Sequence, residues 1–253
     1  MVWIVGAGPG APDLITVRGY KLLARADVVI YAGSLVNPQL LEGVREGCRV
    51  FDSSRMTLEQ VMEEIKKAHG EGKEVVRLHT GDPCLYGAIR EQMDAMDRLG
   101  IPYEICPGVS SFCGAAAALK MEYTLPQVSQ SVVITRMAGR TPVPERESIQ
   151  SFAAHGATMT VFLSASLLKE LETELIEGGY SPDTPAAIVY KATWPEEHVV
   201  RCRVGELSKA AEEAGIAKTA LIVVGDSVSQ RGYGRSKLYD PSFTTEYRKG
   251  ETE

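Results

Sequence analysis

The sequence predicts an α/β fold with two α/β domains. The first is built on a mainly parallel five-stranded sheet and the second on a mixed sheet. Three observations carry this. Short β-branched runs alternate with helix-periodic segments through the first half. That rhythm loosens after about residue 120. In the second half YKATWPEEHVVR reads as two strands joined by a short turn containing proline, an antiparallel pairing absent from the first half. A length of 253 residues allows either one large α/β domain or two small ones, so the change of pattern and not the length makes the division.

The strand candidates of the first half are VWIVGAG, VVIYAG from Val28, RVFDSS from Arg49, VVRLHTG from Val75 and YEICPG from Tyr103. Thr16 is the expected N-cap of a helix through VRGYKLLARA. A second helix spans Leu58 to His69, with Leu58, Val61, Met62, Ile65 and Ala68 on one stripe. A third runs from Leu85 to Leu99 and stops at Gly100; Asp82 before Pro83 reads as an N-cap with proline at N1. Ser110 is placed to cap the alanine-rich helix that follows. The N-terminal domain is expected over residues 1–120, with MEYTLPQVSQ as the boundary. The second half, 121–229, offers SVVITRM, TMTVFLS, AAIVYKAT, HVVRCRV and TALIVVG as strands. A polar tail rich in Gly, Arg and Tyr fills 230–253.

Bulk properties exclude several functions. A hydrophobic share of 44% with 24% charged residues is ordinary globular composition. The net charge of −6 without any Lys/Arg block argues against a nucleic-acid partner. No apolar run has the length of a membrane span, and no basic leader precedes the first strand, so a cytoplasmic protein with no membrane partner is expected. Cys48, Cys84, Cys106, Cys113 and Cys202 form no C-x-x-C pair, and the four histidines lie far apart. They read as thiols in a reducing compartment, and no metal site is expected.

GAGPGA is the most informative stretch. Gly6, Gly8 and Ala11 satisfy G-x-G-x-x-G/A after a strand, the pattern of a dinucleotide turn. Three details oppose a nicotinamide cofactor. Pro9 and Pro12 lack the N–H donors a pyrophosphate would use. The helix starts only at Thr16. VVIYAG also ends without the acidic residue that binds a ribose hydroxyl. A plain glycine turn does not account for two further glycine loops after strands, HTGDPCLYG and CPGVSSFCGAAAAL. In a parallel sheet all three would open onto one ligand-binding edge.

GAGPG, TGDPxxYG and PGVSS, in this order, resemble the tetrapyrrole (class III S-adenosylmethionine-dependent) methyltransferase family over nearly the whole chain. YAGSLVNP, TRMAGRTPVPE and RSKLYDPSF resemble the branch that acts on precorrin-4. The resemblance implies an active-site cleft between two domains, a homodimer, and methyl transfer from S-adenosyl-L-methionine to C-11 of precorrin-4 or cobalt-precorrin-4. The product cofactor would be S-adenosyl-L-homocysteine and the pathway cobalamin and porphyrin biosynthesis. It places cofactor contacts at Pro9, Gly81, Asp82, Leu85, Ser110 and Ser111, and from the second half at Ser164, Ala192 and Thr219. In the related uroporphyrinogen methyltransferases an aspartate linked to proton handling follows the tyrosine ending the second strand; here Ala32, Gly33 and Ser34 follow Tyr31, and no catalytic base is assigned.

A substrate rich in carboxylates asks for cations, and Arg55, Arg136, Arg140 and Lys191 are the candidates, with Tyr86 and Trp194 as lining groups. His79 is read as packed or hydrogen-bonded and not as a catalyst. Other acceptors of the same family (uroporphyrinogen, diphthine, an rRNA ribose) compete with this reading, as do a nicotinamide oxidoreductase and a non-catalytic binding module.

Overall fold

The computed structural model describes residues 1–250. It holds two sheets of five strands. The first comprises β1 (Val2–Gly6), β2 (Val28–Tyr31), β3 (Arg49–Asp52), β4 (Val75–His79) and β5 (Tyr103–Cys106), in the order β3-β2-β4-β1-β5. Every pairing is parallel. The inner strands β1, β2 and β4 are buried on both faces and read as near-continuous apolar runs, which is why they are so rich in Val and Ile. Alternate residues divide between the faces. Val2, Ile4, Val28, Ile30 and Val75 pack with α2 (Leu58–Gly70) and α3 (Arg90–Leu99). Val5, Val29, Val76 and Leu78 pack with Leu22 and Leu23 of α1 (Val17–Arg25).

Thr16 caps α1 by accepting from the Gly19 N–H at 3.0 Å, as its position foretold. Thr57 and Gln60 form a reciprocal capping box on α2. The third helix departs from expectation. It begins at Arg90 and not near Leu85, and Asp82 caps no helix. Tyr86 and Ala88 take positive φ, 56° and 49°, so the chain cannot wind into a right-handed helix until both are passed.

The second sheet comprises β6 (Val132–Arg136), β7 (Thr158–Phe162), β8 (Pro185–Tyr190), β9 (His198–Arg203) and β10 (Ala220–Val224), in the order β6-β7-β10-β8-β9. Only β6 and β7 pair in parallel; the others are antiparallel, β8 with β9 among them. Met159, Val161, Ile188, Ile222 and Val224 form its core with α5 (Ile149–Ala153), α6 (Leu168–Glu177) and α7 (Leu207–Glu213).

The chain divides into two compact units inside α4 (Ser111–Leu119): Met1–Gly114 with Ala192–Glu196, and Ala115–Lys191 with the residues from Glu197 on. Among the described residues no helix is long and apolar enough to cross a membrane, and no cluster of His, Cys, Asp and Glu could hold a metal ion.

Candidate active site

Three loops leave the carboxyl ends of β1, β4 and β5, which are neighbours in the sheet. Topology thus brings together stretches that lie some hundred residues apart. The first and second loops are stitched by backbone hydrogen bonds. Ala7 N–H donates to the His79 carbonyl at 2.7 Å, and Gly8 and Gly81 exchange N–H···O bonds of 2.8 and 3.3 Å. The third loop lies against both with no room for a side chain. A Cβ on Gly108 would stand 2.2 Å from the Gly81 oxygen and 2.7 Å from Gly6 Cα.

Asp82 locks this arrangement. One carboxylate oxygen accepts the Cys84 N–H at 2.8 Å and the other the Gly108 N–H at 2.9 Å, joining the second loop to the third. Burial alone would raise this carboxyl, but the hydrogen bonds from Cys84 and Gly108 outweigh it and hold the group below its ordinary value. Asp82 is therefore a carboxylate at neutral pH. Ser110 and Ser111 begin beside it, the Ser110 Cα and Ser111 nitrogen lying 3.5 and 3.6 Å from where a Cβ on Gly81 would be.

The first loop is fixed from two other directions. Trp194 donates its indole N–H to the Pro9 carbonyl at 3.1 Å, and the Thr193 hydroxyl accepts the Ala11 N–H at 3.0 Å. Asn37, buried, donates its amide to the Gly10 carbonyl at 2.8 Å. Buried Ala192 opens the segment that delivers Thr193 and Trp194. Pro9, Gly81, Asp82, Ser110, Ser111 and Ala192 thus belong to one unit, with half-buried Leu85 and exposed Tyr86 on the turn after Asp82. Sequence reasoning missed Asn37 and Thr193. Asn37 had a signal, an asparagine before proline at the start of a turn; Thr193 had none.

The remaining candidates are not part of these three loops. Arg55 is exposed beyond β3, the edge strand, and lines an open cavity of about 500 Å³ with Asp52 and Met56. The others lie in the second unit. Ser164 is fully buried; its hydroxyl accepts the Met137 N–H at 3.0 Å and donates to the Phe162 carbonyl at 2.7 Å. Arg136 donates to the carbonyls of Met137, Thr141 and Pro142 at 2.8–3.1 Å, so its guanidinium holds its own loop. Arg140 is exposed on that loop. Lys191 donates its N–H to the Thr219 carbonyl at 3.0 Å, and its ammonium lies 5.7 Å from the centre of the Tyr190 ring.

His79 is 4% exposed. Burial first, and then the Arg77 charge, push its imidazole down to about 3, so it is neutral. The three loops, Gly6–Gly10, Thr80–Gly87 and Pro107–Ser111, carry one charged side chain, that of Asp82, and no cation. Such a rim has no cationic side chain for a pyrophosphate, and its one charge is of the sign that suits a positively charged ligand.

A model of the tetrapyrrole (corrin/porphyrin) methylases matches residues 1–208. The cobalt-precorrin-4 C(11)-methyltransferase of Methanocaldococcus jannaschii is 51% identical over 248 residues, covering 98% of this chain and 96% of that one. The X-ray structure of a cobalamin biosynthetic enzyme, cobalt precorrin-4 methyltransferase, superposes with a TM-score of 0.88 at 48% identity, over 90% of this chain and 95% of that one. The uroporphyrin-III C-methyltransferase of Thermus thermophilus, solved with S-adenosyl homocysteine, gives a TM-score of 0.75 at 28% identity, over 90% and 92%.

Proposed function

The chain belongs to the tetrapyrrole (corrin/porphyrin) methylase family, and from that premise we propose that it transfers the methyl group of S-adenosyl-L-methionine to C-11 of precorrin-4 or cobalt-precorrin-4. The observation that carries this reading is the rim itself, three glycine loops locked by Asp82 with no cation among them. S-adenosylmethionine supplies a methyl made electrophilic by its sulfonium. The residues that would hold it are Pro9, Gly81, Asp82, Leu85, Ser110, Ser111 and Ala192 of the first unit, and Ser164 and Thr219 of the second.

The chain's contribution is placement. Fixing donor and acceptor in line supplies up to ~7–11 kcal/mol through proximity and orientation. The acceptor is an electron-rich ring carbon, and its carboxylates are met by Arg55, Arg140 and Lys191, with Tyr86 against the macrocycle. Arg136 shapes the loop that carries Arg140. The enzyme acts on a small-molecule tetrapyrrole as a homodimer in the cytoplasm, a placement supported by five cysteines that are all unpaired thiols.

Incubation with labelled S-adenosylmethionine and, separately, precorrin-4 and cobalt-precorrin-4 tests this by product mass spectrometry. One added methyl on either acceptor is expected, and the acceptor that gains it states whether cobalt is already in the ring. A chain that binds S-adenosylhomocysteine but methylates neither acceptor overturns the assignment.

A further inference from the structure

We propose that Arg77 is a buried anchor for a ligand carboxylate beneath the second rim loop, with His79 and Gln92 positioned around it. Arg77 lies in central strand β4 and is only 6% exposed. Its Nε donates to the Gln92 side-chain oxygen and its Nη1 to the Ile30 carbonyl, both at 3.0 Å. Both acceptors are neutral. Among the described residues no carboxylate pairs with this guanidinium, although most other ion pairs of the molecule sit at the exposed surface, where they matter least. Burial pushes Arg77 down to about 10, which leaves it protonated at neutral pH.

A buried charge held only by neutral dipoles is costly, and proteins that need one for structure alone supply a counter-ion. The surroundings point to a ligand in that role. His79, two residues on and on the same face of the strand, is neutral, and its buried Nε2 has no hydrogen-bond partner. The Thr80 hydroxyl, next in the chain, is likewise buried without one. Gln92 turns its amide nitrogen to the Ala88 carbonyl at 3.1 Å, which ties the end of the loop to the arginine's own partner. Unspent polar atoms therefore collect on the residues that lead into TGDP, where a carboxylate could accept from the guanidinium and from the groups around it.

The inference rests on the methyltransferase reading, which provides two sources of that chemistry: the amino-acid end of the cofactor and the side chains of the tetrapyrrole. Gln92→Glu tests the anchor without hollowing the core, because it offers the guanidinium a permanent counter-ion while giving up the amide bond to the Ala88 carbonyl. Arg77→Lys keeps the charge but loses the planar fork. Calorimetric titration uses S-adenosylhomocysteine and 5′-methylthioadenosine, which lacks the carboxylate, and steady-state kinetics use the tetrapyrrole acceptor.

If the cofactor is the source, both variants weaken S-adenosylhomocysteine at least tenfold and leave methylthioadenosine unchanged. If the substrate is the source, cofactor affinity holds and KM for the acceptor rises at least tenfold. A folded Q92E protein with both quantities within twofold of the parent overturns the proposal and makes Arg77 a structural residue. A parent chain that binds S-adenosylhomocysteine not at all overturns the cofactor reading instead, and the anchor's ligand with it.

Discussion

Asp82 shows how far one side chain can be understood from sequence. Its position before proline after a strand marks it as special, and the local pattern suggests a helix cap whose loss would cost about 1 kcal/mol. The structure gives it a different task, because its second partner, the Gly108 N–H, lies on another loop and no local pattern could reveal it. Asp82→Ala strands two backbone donors at once, so destabilisation of ~1–3 kcal/mol is expected by urea denaturation, together with weaker S-adenosylhomocysteine binding as the third loop loosens. Unchanged cofactor affinity would reduce Asp82 to a structural staple. Its pH dependence has a definite sign. The folded carboxyl titrates below its ordinary value of 3.8, so the contact contributes fully above that pH and is lost as pH falls through the folded value. An NMR titration of the Asp82 carboxyl carbon should place its midpoint under 3.8; a midpoint above it would contradict the geometry.

All ten strands were legible as β-branched runs, because burial on one or both faces leaves a periodic mark on the sequence. The start of α3 was not, since Tyr86 and Ala88 adopt a backbone conformation that their residue types do not advertise. The packing of the three loops was legible only as glycines, and two substitutions show what those glycines are for. In Gly108→Ala the new Cβ meets backbone, 2.2 Å from the Gly81 oxygen, and neither side can yield. A loss of ~1–3 kcal/mol and of cofactor affinity is expected. In Gly10→Ala the Cβ would fall 2.1 Å from Trp194 Cδ1, the edge of a side chain that can swing. That variant should stay folded, break the indole bond to Pro9 and change tryptophan emission, to which only Trp3 and Trp194 contribute. Equal destabilisation of the two variants would refute this distinction between backbone and side-chain contact.

Across the chain, the motifs in order conveyed the family and the fold class, while only the resemblance, through Ala192, and the lining role given to Trp194 hinted at the segment Ala192–Glu196 that returns to the first unit. That return means the first unit's loops are completed by a segment from between two strands of the second sheet, β8 and β9. The two units bury separate cores, so heat need not unfold them in one step. A ligand stabilises only the structure that binds it, by about 2.7 kcal/mol at a hundred times its dissociation constant. S-adenosylhomocysteine should therefore raise the unfolding temperature of the transition that includes Gly8, Gly81 and Trp194, read by hydrogen exchange at those amides during the melt. NAD(H) should raise none, because Pro9 and Pro12 remove backbone N–H donors from the first loop and α1 starts only after Thr16, away from the glycines. Protection of these amides by NAD(H) and not by S-adenosylhomocysteine would reverse the assignment of the glycine loops.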